Sequence, residues 1–271
     1  MVWLTNQQIG RWKRKRILVV GSFLCWSIIM FITPKVPLDS FRHHIFADKR
    51  NFMGVPNTLN VMTNFPFLIV GVLGFVLCIG GSFFNISLNG EIWGWTLFYA
   101  GIASLAFGLL FIISNLMTTE SSGTLCLFIL IAYSSLFSSF LVERAGEKVG
   151  LSCLILLLFI SCLSVAYARV FNDLRLCMTF QLIPCLVIPV MAVLLPPKYT
   201  HSRFWLWATA AYTIAKIEGL ADNKIYNANR YIISGHSLEH LCSAVATLLL
   251  TIMLLYRSIR FNRLGDLKGR P

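Results

Sequence analysis

Long apolar runs separated by short polar stretches form the dominant pattern of this chain. An α-helix needs about 20 mainly apolar residues to cross a bilayer. Eight runs come close to that length, and charged residues, Gly, Pro or Asn bound each of them: 17–33, 58–80, 93–114, 123–142, 149–168, 176–195, 203–221 and 236–256. The pattern predicts an all-α membrane protein of about eight spans joined by short loops.

The amino-acid composition agrees with a membrane protein. Of the 271 residues, 57% are hydrophobic and 13% are charged, whereas soluble domains carry about 25% charged residues. A soluble fold has no means of hiding that much apolar surface. The eight cysteines show no C-x-x-C spacing, so we interpret them as small apolar side chains packed between helices.

Basic residues predict the orientation in the membrane. Arg and Lys cluster before the first run, at 11–16, and after the last, at 257–270. Because an even number of spans leaves both termini on one side, the positive-inside rule places both in the cytosol. We therefore expect a basic cytosolic segment (1–16), an uncleaved anchor (17–33) and a basic cytosolic tail (257–271). The net charge of +12 then favours contacts with lipid headgroups. It does not indicate a nucleic-acid partner, because the charge is divided between two tails.

The last apolar run opens with Ser234-Gly235-His236-Ser237-Leu238-Glu239-His240. Residues four apart lie on one face of a helix, so His236 and His240 can bind one metal ion. Ionisable residues within a membrane span indicate a functional site by default. The alternative interpretation is a polar helix start at the membrane interface. A catalytic zinc usually has three protein ligands, and the sequence offers two evident ones.

The expected topology brings most polar side chains of the bundle to the end where His236 lies. The loop 34–57 and the end of the seventh run both reach this side. Glu218 and Asp222 share a helix face, and we expect them to hydrogen-bond to histidine ring N–H groups. The alternative is an interfacial pair that contacts headgroups. Lys216 lies deeper and is expected to pair with a carboxylate or with backbone carbonyls.

Several blocks of the sequence resemble the ceramidase-like membrane hydrolases, and most closely their plant and bacterial branch. These blocks are His44–Arg50, Gly54–Asn57, Asn60–Phe67, Asn172–Arg175 and Ser234–His240. The resemblance covers residues 40–256 and implies a seven-helix hydrolase domain at 34–256, to which the run 17–33 is an N-terminal addition. It also implies a zinc-bound water that cleaves the amide of ceramide or a related lipid acyl bond, with His236 and His240 as zinc ligands. An endoplasmic reticulum or Golgi location follows from such a substrate.

The same resemblance shows what this chain lacks. The family's third zinc ligand is a His that ends the third span, and here Ile113 or Ser114 occupies that position. Leucine replaces the family's Ser that stabilises the oxyanion, and Thr124 or Leu125 replaces its Asp. Loss of one oxyanion donor typically costs about 10²–10³ in rate. Catalysis in this chain therefore needs a substitute group.

Glu120 is the candidate substitute, because it is the only carboxylate in the loop 115–122. Two His and one Glu form a known catalytic zinc set. The alternative is a solvated loop acid in a non-catalytic, lipid-binding or scaffold member of the same fold. A further alternative is that 108–126 is a variant region of an active enzyme.

A second metal site is expected near the same end. Relatives carry a calcium ion in the region that resembles this chain's first loop. Asp48, Asn51 and Asn57 supply oxygen ligands there, with Asn60 close by in the sequence. Calcium takes six to eight oxygens, and only one carboxylate is evident. The expected cofactors are therefore zinc and calcium, and the expected partners are a ceramide-like lipid and the surrounding membrane lipids.

Overall fold

A computed structural model of the protein describes residues 27–28, 30–38, 46–52, 54–80, 83–86, 88–114 and 119–258, and all of their side chains except those of 111–122. Its named helices are α1 (Thr58–Ile79), α2 (Asn89–Ser114), α3 (Thr119–Ala145), α4 (Glu147–Phe171), α5 (Arg175–Leu194), α6 (Phe204–Leu220), α7 (Asp222–Ala228) and α8 (Gly235–Tyr256). The described residues contain no β-strand; isolated bridge positions occur at Phe52, Val55 and Tyr199. The predicted all-α class is confirmed.

Seven of the eight predicted runs coincide with long helices. Within the described part of the chain, six helices are long and apolar enough to cross a membrane, namely α1 to α5 and α8. Helix α6 has 17 residues and is shorter than these. Most of the predicted anchor at 17–33 lies outside the described residues, so the count of eight spans stays a prediction, as do the domain boundaries drawn from it.

Small residues allow the helices to approach one another closely. A Cβ added to Gly74 of α1 would lie 2.2 Å from the ring of Tyr99 in α2, and one added to Gly150 of α4 would lie 2.2 Å from the side chain of Val142 in α3. Membrane helices use small residues in this way because packing, rather than the hydrophobic effect, holds them together.

The helices form a ring in which neighbours along the chain are mostly neighbours in space. Each helix from α1 to α4 packs on the next, while α8 lies between α6 and α1. Helix α5 touches α3, α4 and α6 and so completes the ring. It contains Pro184 and Pro189, which are tolerated in membrane spans where surrounding groups compensate for the lost hydrogen bonds.

An aromatic core joins three of the helices. Trp205 of α6 lies 5.6 Å from Trp95 of α2 and 5.1 Å from Phe140 of α3, measured between ring centroids. All three side chains are at most 1% exposed. The outer surfaces are also apolar, with Ile155 70% and Val193 71% exposed. Such an apolar exterior fits a bundle surrounded by lipid.

The alternating helix directions give the bundle two distinct ends. The histidine end comprises the segment 46–60, the turn 172–175 and the region 218–240, where α8 begins. The Arg257 end comprises the segment 83–91 and the region 195–205, together with the end of α8. The predicted topology places the histidine end opposite the cytosol, and this orientation stays a prediction.

Candidate metal site at the histidine end

The first turn of α8 is fixed by hydrogen bonds from its own cap and from α7. Ser234 is the N-cap, and its side chain accepts a 3.1 Å hydrogen bond from the backbone N–H of Ser237. Asp222 of α7 accepts from the backbone N–H of His236 at 2.8 Å and from that of Ala47 at 3.0 Å. The start of α8 is therefore held against both α7 and the loop before α1.

Gly235 permits this close approach. A Cβ at this position would lie 2.2 Å from the carbonyl oxygen of Glu218 and 2.7 Å from Cα of Asp222. Both neighbours are backbone atoms, which have little freedom to move away from an added Cβ. The glycine next to His236 thus sets how near α8 lies to the junction between α6 and α7.

His236 and His240 face each other on α8, as their spacing predicts. Their Nε2 atoms are 3.2 Å apart and their ring centroids 4.6 Å apart. Phe46 lies against His236, with 4.9 Å between ring centroids. The residue His240 is 8% exposed, while the His236 side chain is 21% exposed. One imidazole is therefore buried in the bundle, and the other is partly accessible.

The separation of the two Nε2 atoms fits a shared metal ion. Two Zn–N bonds of about 2.05 Å at a tetrahedral angle place their nitrogens about 3.3 Å apart. The observed 3.2 Å is close to this value. Without a metal, the same distance suits a hydrogen bond from one Nε2–H to the other Nε2.

Glu239 joins the histidines to α6. Its Oε2 lies 3.3 Å from Nδ1 of His236, and its Oε1 lies 2.5 Å from Nζ of Lys216. The ammonium of Lys216 also lies 5.3 Å from the ring centroid of Tyr212. The expectation that Lys216 pairs with a carboxylate agrees with this geometry. The i, i+3 spacing of His236 and Glu239 is the sequence signal for their contact.

The two carboxylates predicted to contact histidine rings lie close to the pair. Asp222 is 6% exposed and accepts from the backbone of His236. The buried Oε2 of Glu218 has no hydrogen-bond partner among the described residues. A role for either carboxylate in orienting an imidazole stays a prediction.

Asn60 of α1, an oxygen-bearing residue that the sequence groups with the expected calcium ligands, is buried and contacts the start of α8. Its side-chain oxygen accepts from Oγ of Ser237 at 2.6 Å and from Oγ of Ser234 at 3.3 Å. It is 0% exposed, and its Nδ2 has no hydrogen-bond partner within the described part of the chain. Asn60 therefore connects α1 to the cap of α8 and leaves one amide donor unused.

The proposed calcium ligands include a carboxylate that already binds an arginine. Asp48 is 1% exposed. Its two oxygens accept from Nε and an Nη of Arg50 at 2.8 and 2.7 Å. These hydrogen bonds from Arg50 lower the pKa of Asp48 below its ordinary value. A calcium ion at Asp48, Asn51 and Asn57 would have to replace the guanidinium, so the calcium site stays a prediction.

The third zinc ligand is not found among the described side chains. There, no group of three or more His, Cys, Asp or Glu residues is placed to hold a metal ion. Glu120 belongs to the first turn of α3, but its side chain and that of Ser114 lie outside the described side chains. The assignment of Glu120 as a catalytic or ligating residue therefore stays a prediction.

Comparisons of this chain with protein-family models, with curated proteins and with solved structures found no match. They neither support nor exclude a relationship to the ceramidase-like hydrolases. The composition and the six long apolar helices support a multi-pass membrane protein.

Proposed function

We propose that this protein is a multi-pass membrane hydrolase that holds one zinc ion through His236 and His240 and cleaves the amide bond of ceramide-type lipids. The observation that carries the proposal is the 3.2 Å separation of the two Nε2 atoms, which suits two ligands of one tetrahedral ion. The motif resemblance supplies the reaction and the substrate class. When bound, zinc supplies polarisation of the amide carbonyl and activation of water.

The surrounding residues have identifiable tasks in such a site. Asp222 and the Ser234 cap hold the first turn of α8, and with it His236, in place. His240 is buried in the bundle, where the exclusion of water strengthens electrostatic interactions. Glu120 is the proposed third ligand or proton acceptor.

The depth of the site suits a ceramide amide. His236 is the second residue of α8, so at a rise of about 1.5 Å per residue it lies close to the end of the helix. The amide of a ceramide lies near the membrane surface, below its small headgroup and above its two apolar chains. The apolar sides of the bundle leave those chains in the bilayer while the amide reaches the site.

We place this site on the side of the membrane opposite the cytosol, in the endoplasmic reticulum or Golgi. The clusters of basic residues beside both termini support that orientation. In sealed microsomes, a cysteine introduced by Lys224→Cys at the histidine end should react with an impermeant maleimide only after detergent is added. The N-glycosylation sequon that begins at Asn85 lies at the Arg257 end and should remain unglycosylated. Labelling of the intact microsomes, or a glycan on Asn85, would contradict the orientation.

A second candidate function is lipid binding without cleavage. It is favoured by the lack of a third metal-binding side chain among the described residues. Both candidates use the same bundle and the same lipid class, so metal content and turnover have to be measured together.

The proposal is tested with purified full-length protein in detergent. Zinc is measured by mass spectrometry and ceramide hydrolysis by release of fatty acid. The wild type should carry about one zinc per chain, and His236→Ala/His240→Ala should carry none. His201→Asn at the Arg257 end is the matched control and should retain the metal. Zinc no higher than in the double variant would overturn the proposal, and zinc without hydrolysis would favour lipid binding.

A further inference from the structure

We infer that Glu239, held by Lys216, is a positioning residue that orients His236 for metal binding. The inference rests on the proposed function, because it concerns the same histidine pair. It adds two residues, Glu239 and Lys216, that neither the family resemblance nor the histidine spacing assigns to the site.

The first support is the hydrogen-bonding chemistry of the imidazole. A neutral imidazole carries one N–H, and a carboxylate can only accept. With the anionic Oε2 of Glu239 3.3 Å from Nδ1 of His236, the tautomer that carries its proton on Nδ1 is favoured electrostatically. The lone pair is then on Nε2, which is the nitrogen 3.2 Å from Nε2 of His240. Glu239 thus selects the tautomer that presents a ligand atom to the metal position.

The second support is that Glu239 is itself held in place. Its other oxygen lies 2.5 Å from Nζ of Lys216, which extends from α6. Helices α6 and α8 pack extensively against each other. A carboxylate fixed between a lysine and a histidine has little rotational freedom. The orientation of the His236 ring is therefore linked to the packing of α6 against α8.

The third support is the space left for the carboxylate. A Cβ added to Gly219 of α6 would lie 2.1 Å from Oε2 of Glu239. The carboxylate oxygen that faces His236 thus lies directly against the backbone of α6. A larger residue at position 219 would push this oxygen away from Nδ1.

The charges explain why Lys216 is needed. The Glu239 side chain is 17% exposed, and the Lys216 side chain is 50% exposed. An unpaired carboxylate within a membrane span is costly, so Lys216 stabilises the ionised form whose Oε2 lies beside Nδ1 of His236. Carboxylates that hold a metal-binding histidine in this way typically contribute about 10–100-fold to metal affinity.

The test measures metal affinity independently of turnover. Cobalt(II) is titrated into metal-free, full-length protein in detergent, and both the dissociation constant and the visible absorption spectrum are recorded. We expect Glu239→Gln, which preserves the shape of the side chain, to weaken binding about 10–100-fold and to alter the spectrum. Lys216→Met should weaken it in the same direction, and Lys216→Arg should restore most of the affinity. Lys224→Met at the same end is the matched control and should bind as the wild type does.

The outcomes separate this inference from the proposed function. If the wild type binds no cobalt, the metal site itself fails. If the wild type binds and His236→Ala does not, while folded Glu239→Gln binds as the wild type does, the positioning role fails and the metal site stands. A purely structural ion pair predicts that last result. Gly219→Ala, which leaves every charge in place, should weaken binding if the position of the carboxylate is what matters.

Discussion

Two charged clusters at opposite ends of the bundle show how similar side chains serve different purposes. The Arg257 cluster consists of Glu91, Tyr199 and Arg257, each at most 2% exposed. An Nη of Arg257 lies 2.7 Å from the Glu91 carboxylate, which also accepts from the Tyr199 hydroxyl at 2.9 Å. The guanidinium lies 4.2 Å from the centroid of the Tyr199 ring.

The Glu239 cluster consists of Lys216, His236 and Glu239. Here the side chains of Lys216 and His236 are 50% and 21% exposed. Nε2 of His236 faces the imidazole of His240, whereas each charged group of the Arg257 cluster faces an opposite charge. The Arg257 cluster is enclosed and satisfies its charges internally, as a structural element does. The Glu239 cluster leaves an imidazole accessible, as a binding site requires.

The largest expected effect is the loss of a charge from the Arg257 cluster. Arg257→Met should destabilise the protein by about 3–5 kcal/mol, because it leaves the Glu91 carboxylate buried and uncompensated. The free energy of unfolding is measured in detergent by titration with a denaturant. Arg230→Met at the histidine end is the control. If the free energy of unfolding were unchanged in Arg257→Met, the Arg257 cluster would not stabilise the fold.

The metal should stabilise the opposite end. Zinc at about 100 times its dissociation constant should add about 2.7 kcal/mol to the free energy of unfolding, because it binds only the folded site. Removal of the ion with a chelator should reverse the gain. The effect should vanish in His236→Ala/His240→Ala and persist in His201→Asn. An equal gain in the double variant would place the zinc elsewhere.

A single methyl group at the start of α8 should disturb the histidine end. Gly235→Ala should destabilise the protein by about 1–3 kcal/mol, since the added Cβ meets the backbone of Glu218 and Asp222. It should also weaken metal binding, because it displaces the turn that carries His236. Thermal unfolding and the cobalt titration report the two effects. Gly80→Ala at the Arg257 end is the control, because Gly80 has an ordinary αR backbone. Gly146→Ala is unsuitable, because Gly146 has a φ of 104°.

The smallest expected effect is on pH dependence. The pKa of Asp48 is lowered in the folded protein by its hydrogen bonds with Arg50. Its contribution to stability is therefore fully present above the unfolded pKa of about 3.9 and is lost as pH falls through the lower folded value. The stability difference between wild type and Asp48→Asn should be constant from neutral pH to about 5 and shrink below about 4. Thermal unfolding in detergent across this range measures it, and a difference that grows in acid would reverse the assignment.

The positions of the long helices were predictable because a membrane span is encoded locally. An uninterrupted apolar run has to satisfy its backbone internally, so its length and bounds specify the helix. The predicted run at 176–195 and the observed α5 (Arg175–Leu194) differ by one residue at each end. The placement of His236 and His240 on one helix face followed from helical geometry for the same reason. The contact between Glu239 and Lys216 was not predictable in this way, because the two residues are 23 positions apart in the chain.

The all-α class, the long apolar helices and the histidine pair on one helix face could be predicted from the amino-acid sequence, because each depends on residues within one segment. The position of α8 between α6 and α1 and the contact of Lys216 with Glu239 are seen only in the three-dimensional fold. The same holds for Asp222, which accepts from the backbone of His236. These contacts join segments that are far apart in the chain. They depend on which helix faces pack together, and in a bundle that is apolar on nearly every side, hydrophobic periodicity does not indicate which face meets which neighbour.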